Sequence, residues 1–163
     1  MFKRSIKRAT IEEIENILDN KVKIEPIKCN NKTINCSDKI ALYEQMAMDN
    51  VLYATNILGL LYDNGEDNIE VNKQKSKELY IKAAKLGLAK AQYNLGVLYK
   101  KEKDYKNAFI WFLEASKQQH QRAQYNLGIF YEDGLGTTKN LEKSKYWYKQ
   151  SAINGYKLAY THL

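Results

Sequence analysis

The hexapeptide AQYNLG, residues 91–96, returns unchanged as residues 123–128 of this 163-residue chain. The two copies start 32 residues apart. An identical stretch that returns at a fixed offset is typical of repeat proteins, in which one small unit stacks on the next. The stretch also fits a helix, since its Ala, Leu and Gly fall on one broad stripe. The sequence therefore predicts an array of similar helical units.

Alignment on the hexapeptide brings two further segments into register, at offsets of 37, 32 and 36 residues. The first helix of each unit then shares small and aromatic positions. They are Ala54, Ala91, Ala123 and Ala159; Gly59, Gly96 and Gly128; and Tyr62, Tyr99 and Tyr131. The shared positions of the second helix are Leu79, Trp111 and Trp147; Tyr80, Phe112 and Tyr148; and Ala83, Ala115 and Ser151. Each unit is thus predicted to be a pair of helices.

The glycine column predicts tight packing between the helices of a pair. Glycine inside a helix costs about 1 kcal/mol relative to alanine. Three glycines at the same repeat position therefore indicate that a neighbouring helix passes too close for a Cβ atom. The second helix offers a matching stripe of small and aromatic residues at helical spacing, Ala108, Trp111, Phe112 and Ala115.

The connections between the helices carry the variation in length. Gly65 and Gly134 align at the end of a first helix, where a positive φ is common. The second unit lacks the loop that follows this glycine. We expect it to turn tightly, with Asp104 as the N-cap of its second helix.

These residues resemble the Sel1-like repeat family, which is related to tetratricopeptide repeats. The third repeat agrees with the family pattern almost throughout, apart from serines at 144 and 151. It has Leu127-Gly128, Tyr131, Gly134, Gly136, Trp147-Tyr148, Ala152 and Gly155. The first repeat lacks the second loop glycine and the tryptophan, and the second has lost the Gly-x-Gly loop. The resemblance covers about residues 40–160 and implies an all-α fold, an α-α superhelix (solenoid) of antiparallel helix pairs.

We expect two parts in the chain. Residues 1–37 are predicted to form an N-terminal helix and an extended linker or cap around Pro26. Residues 38–163 are predicted to form the repeat array. Its predicted parts are a half repeat at 38–53, repeats at 54–90, 91–122 and 123–158, and a C-terminal half helix that caps the last pair.

The net charge of +7 comes from 26 Lys and Arg residues, of which only three are Arg. Specific recognition of phosphate and guanine favours the planar fork of Arg. A lysine-dominated excess is more typical of a solvated surface. Nucleic-acid binding is therefore the less favoured of two functional hypotheses.

Features of the N-terminal part bear on location. No apolar segment follows the charged N-terminus, so we expect neither a secretory signal nor a transmembrane helix, and a cytoplasmic location. Cys29 and Cys36 are not spaced like a zinc knuckle. Two free thiols are favoured, and a local disulfide is the alternative in a secreted protein.

No catalytic, cofactor or metal site is predicted. His120 and His162 have no Ser, Cys or Asp nearby in a nucleophile pattern, and we interpret both as surface residues. The acidic segment after Asp63 lacks the Gly and Glu of an EF-hand loop. Gly134 and Gly136 lack the Gly-Lys-Ser/Thr ending of a phosphate-binding loop, and their repeat position explains them.

The remaining candidates for function are surface residues of the first helices. The resemblance implies that the first helices line a concave groove. The repeat register predicts groove positions at Tyr53, Asn56, Leu60, Lys90, Tyr93, Asn94, Val97, Lys100, Arg122, Tyr125, Asn126, Ile129 and Glu132. Tyr, Asn and Arg are common in binding surfaces. Tyr93, Asn94, Tyr125 and Asn126 also belong to the repeated hexapeptide, so a packing role for them is an equal alternative. Lys90 and Arg122, together with Asn94 and Asn126, partly resemble a clamp for a C-terminal carboxylate.

These observations predict a non-catalytic scaffold or adaptor that binds a peptide or a folded protein in the groove. An immunity or regulatory partner of an enzyme is a specific version. The alternative is a basic protein that binds nucleic acid or an anionic surface. The sequence identifies neither the partner nor the oligomeric state.

Overall fold

The computed structural model describes residues 36–65 and 69–163. In these residues the fold is all α-helical, as predicted, with no strand. The seven α-helices are α1 (Cys36–Met48), α2 (Leu52–Asn64), α3 (Lys73–Lys85), α4 (Ala89–Lys101), α5 (Tyr105–Lys117), α6 (Gln121–Asp133) and α7 (Leu141–Ile153). A 3₁₀ helix, Lys157–His162, follows. Pairs α2–α3, α4–α5 and α6–α7 are the three predicted units.

The first helices α2 and α4 begin differently from the second helices. Each second helix has an Asn or Asp N-cap that accepts a backbone N–H three residues on: Asn72, Asp104 and Asn140. The prediction for Asp104 is thus confirmed. The N-caps of α2 and α4, Val51 and Leu88, give no side-chain hydrogen bond. The first turns of these two helices therefore keep backbone N–H groups without a capping side chain.

Residues with a left-handed backbone conformation (positive φ) lie in the turns that connect the helices. Gly65 and Gly134 end α2 and α6 with φ of 73° and 72°, as predicted. Asn50, Gly87, Gln119 and Gly155 lie just before the next first helix or the 3₁₀ helix, with φ of 59°, 92°, 59° and 92°. The same backbone turn is thus made four times, twice with a residue other than glycine.

The core forms at the boundaries between units. One buried cluster joins α1 to α2, the next joins α3 to α4, and the third joins α5 to α6. The third contains Phe112 and Phe130, both fully buried. Because each cluster needs helices from two units, no single unit buries its apolar stripe alone.

The glycine column marks a close approach, as predicted, and the neighbour is an aromatic ring. A Cβ built on Gly59, Gly96 or Gly128 comes within 2.8, 2.7 or 2.6 Å of a ring carbon of the second helix. The rings belong to Tyr80, Phe112 and Tyr148. The absent Cβ thus makes room for an aromatic ring in each pair.

The residue just before each of these rings is also large and packs against the core. Leu79 and Trp111 pack against the clusters of α1–α2 and α3–α4, and Trp147 packs against the cluster of α5–α6. Each large side chain therefore reaches the boundary on the N-terminal side of its own unit.

The loop of the third unit packs on the second. Gly136 has φ of 61°, and a Cβ there would clash with the carbonyl oxygen of Tyr105. The loop thus covers the start of α5, where the second unit has no long loop of its own.

The C-terminal segment differs from its prediction. Residues 157–162 form a 3₁₀ helix rather than the start of an α-helix. Ala159 is nevertheless fully buried, in line with its place in the alanine column. The predicted N-terminal helix, the region around Pro26 and the pairing of Cys29 lie outside the described residues.

Candidate protein-binding site on the first helices

The predicted groove residues lie on α2, α4 and α6, and we call their surface the first-helix face. Its rows run across the three helices at equivalent repeat positions. The edge row at the helix N-termini is Tyr53, Lys90 and Arg122, and the aromatic row is Asn56, Tyr93 and Tyr125. Next come Asn94 and Asn126, then the apolar row Leu60, Val97 and Ile129, and finally the far-edge row Asp63, Lys100 and Glu132.

The apolar row is partly exposed. Leu60, Val97 and Ile129 are intermediate in burial, while Leu58, Leu95 and Leu127 on the same helices are buried. Leu60 and Val97 also pack against the buried clusters of α3–α4 and α5–α6, so the row belongs partly to the core and partly to the surface. It leaves a band of aliphatic surface across three helices.

The aromatic row links each first helix to the beginning of the next. Tyr93 stacks on His120, the N-cap of α6, with ring centroids 4.7 Å apart. At the equivalent place, Tyr125 meets the ring of Tyr156 edge-on, with centroids 5.0 Å apart. Burial raises the pKa of the Tyr93 phenol. Tyr93 and Tyr125 thus both pack between helices and retain some exposure.

Asn56 corrects one prediction. Its side chain is only 1 % exposed, and its Oδ1 accepts a hydrogen bond of 2.9 Å from Nδ2 of Asn94. It is therefore not accessible to a partner. Its position holds tyrosine in the other two units, and the smaller amide lies beneath the surface.

His120 is partly buried and has a structural role, beyond the surface position that the sequence predicted. Its Nδ1 accepts the backbone N–H of Ala123 at 3.3 Å, which caps α6. Burial, helped by the nearby charges of Arg122 and Lys90, lowers its pKa to about 4. At neutral pH His120 is thus an uncharged cap, since a protonated Nδ1 cannot accept a hydrogen bond.

Acid is expected to weaken the fold through His120. The pKa is about 4 in the folded chain and about 6.5 in an unfolded one. Between these values the unfolded chain binds more protons. The stabilisation present above pH 6.5 is therefore lost as the pH falls to 4, by about 2–3 kcal/mol. Urea unfolding at several pH values measures this loss.

His120→Asn is the matched variant, because Asn caps a helix without titrating in this range. We expect the stability of this variant to fall less between pH 6.5 and 4 than that of the native chain. Equal slopes for the two proteins would show that His120 does not carry the effect.

His162 is exposed, in line with the surface interpretation, but its side chain contacts the last pair of helices. Its ring stacks on Tyr148 with centroids 4.2 Å apart, and its Nε2 lies 3.2 Å from the hydroxyl of Tyr125. Glu132 lies 3.9 Å from its Nδ1 and accepts a hydrogen bond from Tyr148 at 2.6 Å. The 3₁₀ helix is thereby held against the α6–α7 pair.

The far edge of the face is largely engaged within the chain. Lys100 donates to Oδ1 of Asn126 at 3.1 Å, and burial lowers the pKa of its ammonium group. Asn126 also donates to the carbonyl of Arg122 at 2.8 Å. Asp63 pairs with Lys73 at 2.7 Å. Asn94 and Asn126 thus both make internal hydrogen bonds, which supports the packing alternative for these residues.

The N-terminal edge is more open. Lys90 and Arg122 are exposed, and Tyr53 is 40 % exposed. Between residues that the structure describes, neither cation makes an ion pair. Lys90 Nζ lies 5.9 Å from the centroid of the Tyr53 ring.

Sequence reasoning missed the role of the glutamine in the hexapeptide. Gln92 donates to the carbonyl of Ala84 at 3.2 Å and accepts from Gln118 at 2.9 Å. Gln124 repeats the arrangement with Ser116 and Asn154. Each glutamine joins the ends of two successive second helices. The signal in the sequence was its identity in both copies, with an amide residue just after each following second helix.

Residues 36–65 and 69–163 contain neither a metal-binding cluster nor a membrane-spanning helix. Their His, Cys, Asp and Glu side chains form no group of three or more that could hold a metal ion. None of their helices combines the length and apolar character needed to cross a bilayer.

The sequence matches the Sel1 repeat three times, at residues 52–88, 89–120 and 121–162. A curated relative is the chitin synthase regulator SKT5 of Saccharomyces cerevisiae, 35 % identical over 129 residues. That match covers 75 % of this chain and 18 % of the yeast protein. This chain therefore spans less than a fifth of that relative.

Two solved structures share the architecture. The Sel1 repeat protein from Oxalobacter formigenes is 33 % identical with a TM-score of 0.71, and the match covers 75 % of this chain and 51 % of that one. The protective antigen c5321 of uropathogenic Escherichia coli is 29 % identical with a TM-score of 0.76, and the match covers 80 % and 28 %. With three matched repeats over most of its length, the chain belongs to the Sel1 repeat family.

Proposed function

We propose that the chain is a non-catalytic scaffold that binds a peptide or a folded protein through the first-helix face. The observation that carries this proposal is the partly exposed apolar row of Leu60, Val97 and Ile129. It crosses three helices and leaves part of each of these side chains exposed. We expect this scaffold to act in the cytoplasm.

The chemistry around the apolar row favours a protein partner. Tyrosines supply large, rigid contact area. Tyr93 and Tyr125 are already held by ring contacts with His120 and Tyr156. Aliphatic side chains at the centre of an interface gain from exclusion of water. Cations at one edge, Lys90 and Arg122, suit the polar rim of an interface.

The charges of the face argue against a nucleic-acid partner. Equivalent positions at the far edge carry Asp63, Lys100 and Glu132, so the sign alternates from one helix to the next. A backbone of phosphates needs a continuous run of cations. If the alternative holds, the chain binds single-stranded or duplex nucleic acid at low salt, with an affinity that falls steeply as salt rises.

A regulatory role is a specific version of the proposal. The relative SKT5 is named as a regulator of an enzyme, chitin synthase. By analogy, the partner of this chain would be an enzyme or a component of an enzyme complex, and an immunity function would be one such case. A partner with enzymatic activity that changes on binding would support this version.

Cross-linking from two matched positions tests the binding face. A diazirine amino acid replaces Ile129 on α6 or Ile110 on α5, which is 46 % exposed. In native extract, irradiation is expected to join a defined protein to the Ile129 probe and to give little product from the Ile110 probe. Equal products from both positions, or none from Ile129, would contradict the proposal.

A further inference from the structure

A pocket of about 440 Å³ lies at the N-terminal edge of the first-helix face. Its walls come from the first turn of α2, the turn between α3 and α4, and the turn between α5 and α6. Leu52, Tyr53, Leu86 and Leu88 form its apolar surface. Leu86 is 55 % exposed although its side chain is large and apolar. A concave surface with exposed apolar side chains favours an apolar occupant.

Among the described residues that line the pocket, Lys90 carries the one unpaired charge. Gln118 lines it, but its amide nitrogen already donates to Gly87 and Gln92. His120 lines it as the uncharged cap of α6. Lys90 remains, exposed and, among the described residues, without an ion pair. Lys90 is thus the side chain that presents charge to an occupant.

Backbone groups add to this positive character. The first turns of α2 and α4 both line the pocket, and neither has a capping side chain. Neither turn carries an acidic residue. The N-terminus of a helix attracts negative charge, more so where its N–H groups lack partners. The lowered pKa of His120, to which Lys90 and Arg122 contribute, agrees with a positive potential here.

Two residues make the pocket continuous with the first-helix face. Tyr53 and Lys90 belong to the edge row of that face and also line the pocket. A chain segment that lies on the face therefore enters the pocket without crossing another element. This continuity points to part of a bound protein rather than to a separate small molecule.

We propose that the pocket holds an apolar side chain of the protein partner, next to an aspartate or glutamate that contacts Lys90. The apolar side chain lies against Leu52, Leu86 and Leu88. The carboxylate lies near Lys90 and the uncapped turns of α2 and α4. This inference rests on the proposed function, because it describes how one end of the bound segment is recognised.

A peptide titration tests the inference. The probe is a short peptide with blocked ends and one leucine between two aspartates, added to ¹⁵N-labelled protein. Amide shifts in the NMR spectrum report both affinity and position. We expect the largest shifts at residues 52–53 and 86–90. Changing both aspartates to asparagine, or the leucine to glycine, should weaken binding at least fivefold.

Two protein variants locate the charge contact. Lys90→Gln should weaken the aspartate peptide at least fivefold and leave the affinity for the asparagine peptide unchanged. Lys149→Gln removes another exposed charge, from α7 and outside the pocket, and should have no effect on either peptide. Both lysines are exposed, so neither change is expected to disturb folding.

Several outcomes would overturn the inference. Equal affinity for the three peptides would remove its chemical basis, and shifts confined to other residues would remove its location. Inorganic phosphate that causes the same shifts, with the same dependence on Lys90, would indicate a simple anion site. Shifts at the pocket that grow with protein concentration alone would indicate a second copy of the chain.

The cross-linking experiment separates this inference from the proposed function. Ile129 lies in the apolar row, whereas the pocket lies at the N-terminal edge. A cross-linked partner together with failed peptide binding would reject the pocket alone. Failure of cross-linking from Ile129 would reject the scaffold itself, whatever the peptides show.

Discussion

Replacing Phe112 by alanine is expected to lower the free energy of unfolding by about 3–5 kcal/mol. The ring is 0 % exposed and meets Phe130 edge-on at 5.3 Å. It also fills the space over Gly96. Its loss leaves a cavity at the boundary between α5 and α6. Denaturant unfolding followed by circular dichroism measures the change.

Ile110 on the same helix is the control for Phe112. It is exposed, so Ile110→Ala should change the stability by less than about 1 kcal/mol. A Phe112→Ala variant no less stable than Ile110→Ala would contradict the packing described.

The glycine column provides a sharper form of the same experiment. In the native chain Gly96→Ala places a Cβ 2.7 Å from the Phe112 ring, and we expect a net loss of about 1–2 kcal/mol. In the Phe112→Ala background the clash is gone, and alanine should gain up to about 1 kcal/mol from helix propensity. The effect of one substitution should therefore reverse its sign. The same sign in both backgrounds would show that Gly96 is not there for the ring.

Gly136→Ala is expected to cost about 2–4 kcal/mol. The positive φ of 61° is unfavourable for alanine, by about 1–2 kcal/mol. The new Cβ also meets the Tyr105 carbonyl oxygen, so the loop must move away from α5, which adds a similar loss. The midpoint of chemical unfolding measures the sum.

Gly87→Ala serves as the comparison for Gly136. Gly87 also has a positive φ, of 92°, but a Cβ there has nothing within 4 Å. Gly136→Ala should therefore be the more destabilising of the two. Equal losses would mean that contact between the loop and α5 contributes nothing to stability.

The residues that pack the helices together could be predicted from the sequence, because they recur at the same position in each repeat. The glycine column required a close neighbour, and Gly96 and Gly128 both lie under aromatic rings. Periodicity could not say whether a ring or the backbone of the second helix fills that space. That choice depends on the orientation of Phe112 and Tyr148, which only the folded chain defines.

The predicted face was less complete, for reasons that lie in three-dimensional packing. Asn56 occupies a groove position in the repeat register, yet it is buried beneath Asn94. His120 and His162 appeared isolated in the sequence, because their partners are distant in the chain or in the backbone. Tyr125, for example, is 37 residues from His162. Register assigns a residue to a side of a helix, but neighbouring units decide its exposure.

The edge pocket was not predicted from the sequence. It combines the first turns of two helices with two turns between helices. Its positive character depends partly on capping groups that are absent at Val51 and Leu88. Apolar residues at N-cap positions, in contrast with Asn72, Asp104 and Asn140 on the second helices, were the signal that sequence reasoning passed over.

Binding through the first-helix face is tested most directly by the affinity of two variants for the cross-linked partner. Isothermal titration calorimetry compares Ile129→Asp with Ile110→Asp, after circular dichroism has shown both to be folded. We predict that Ile129→Asp weakens binding at least tenfold, and that Ile110→Asp stays within twofold of the native chain. A loss with Ile110→Asp and none with Ile129→Asp would place the partner on the second helices and contradict the proposal.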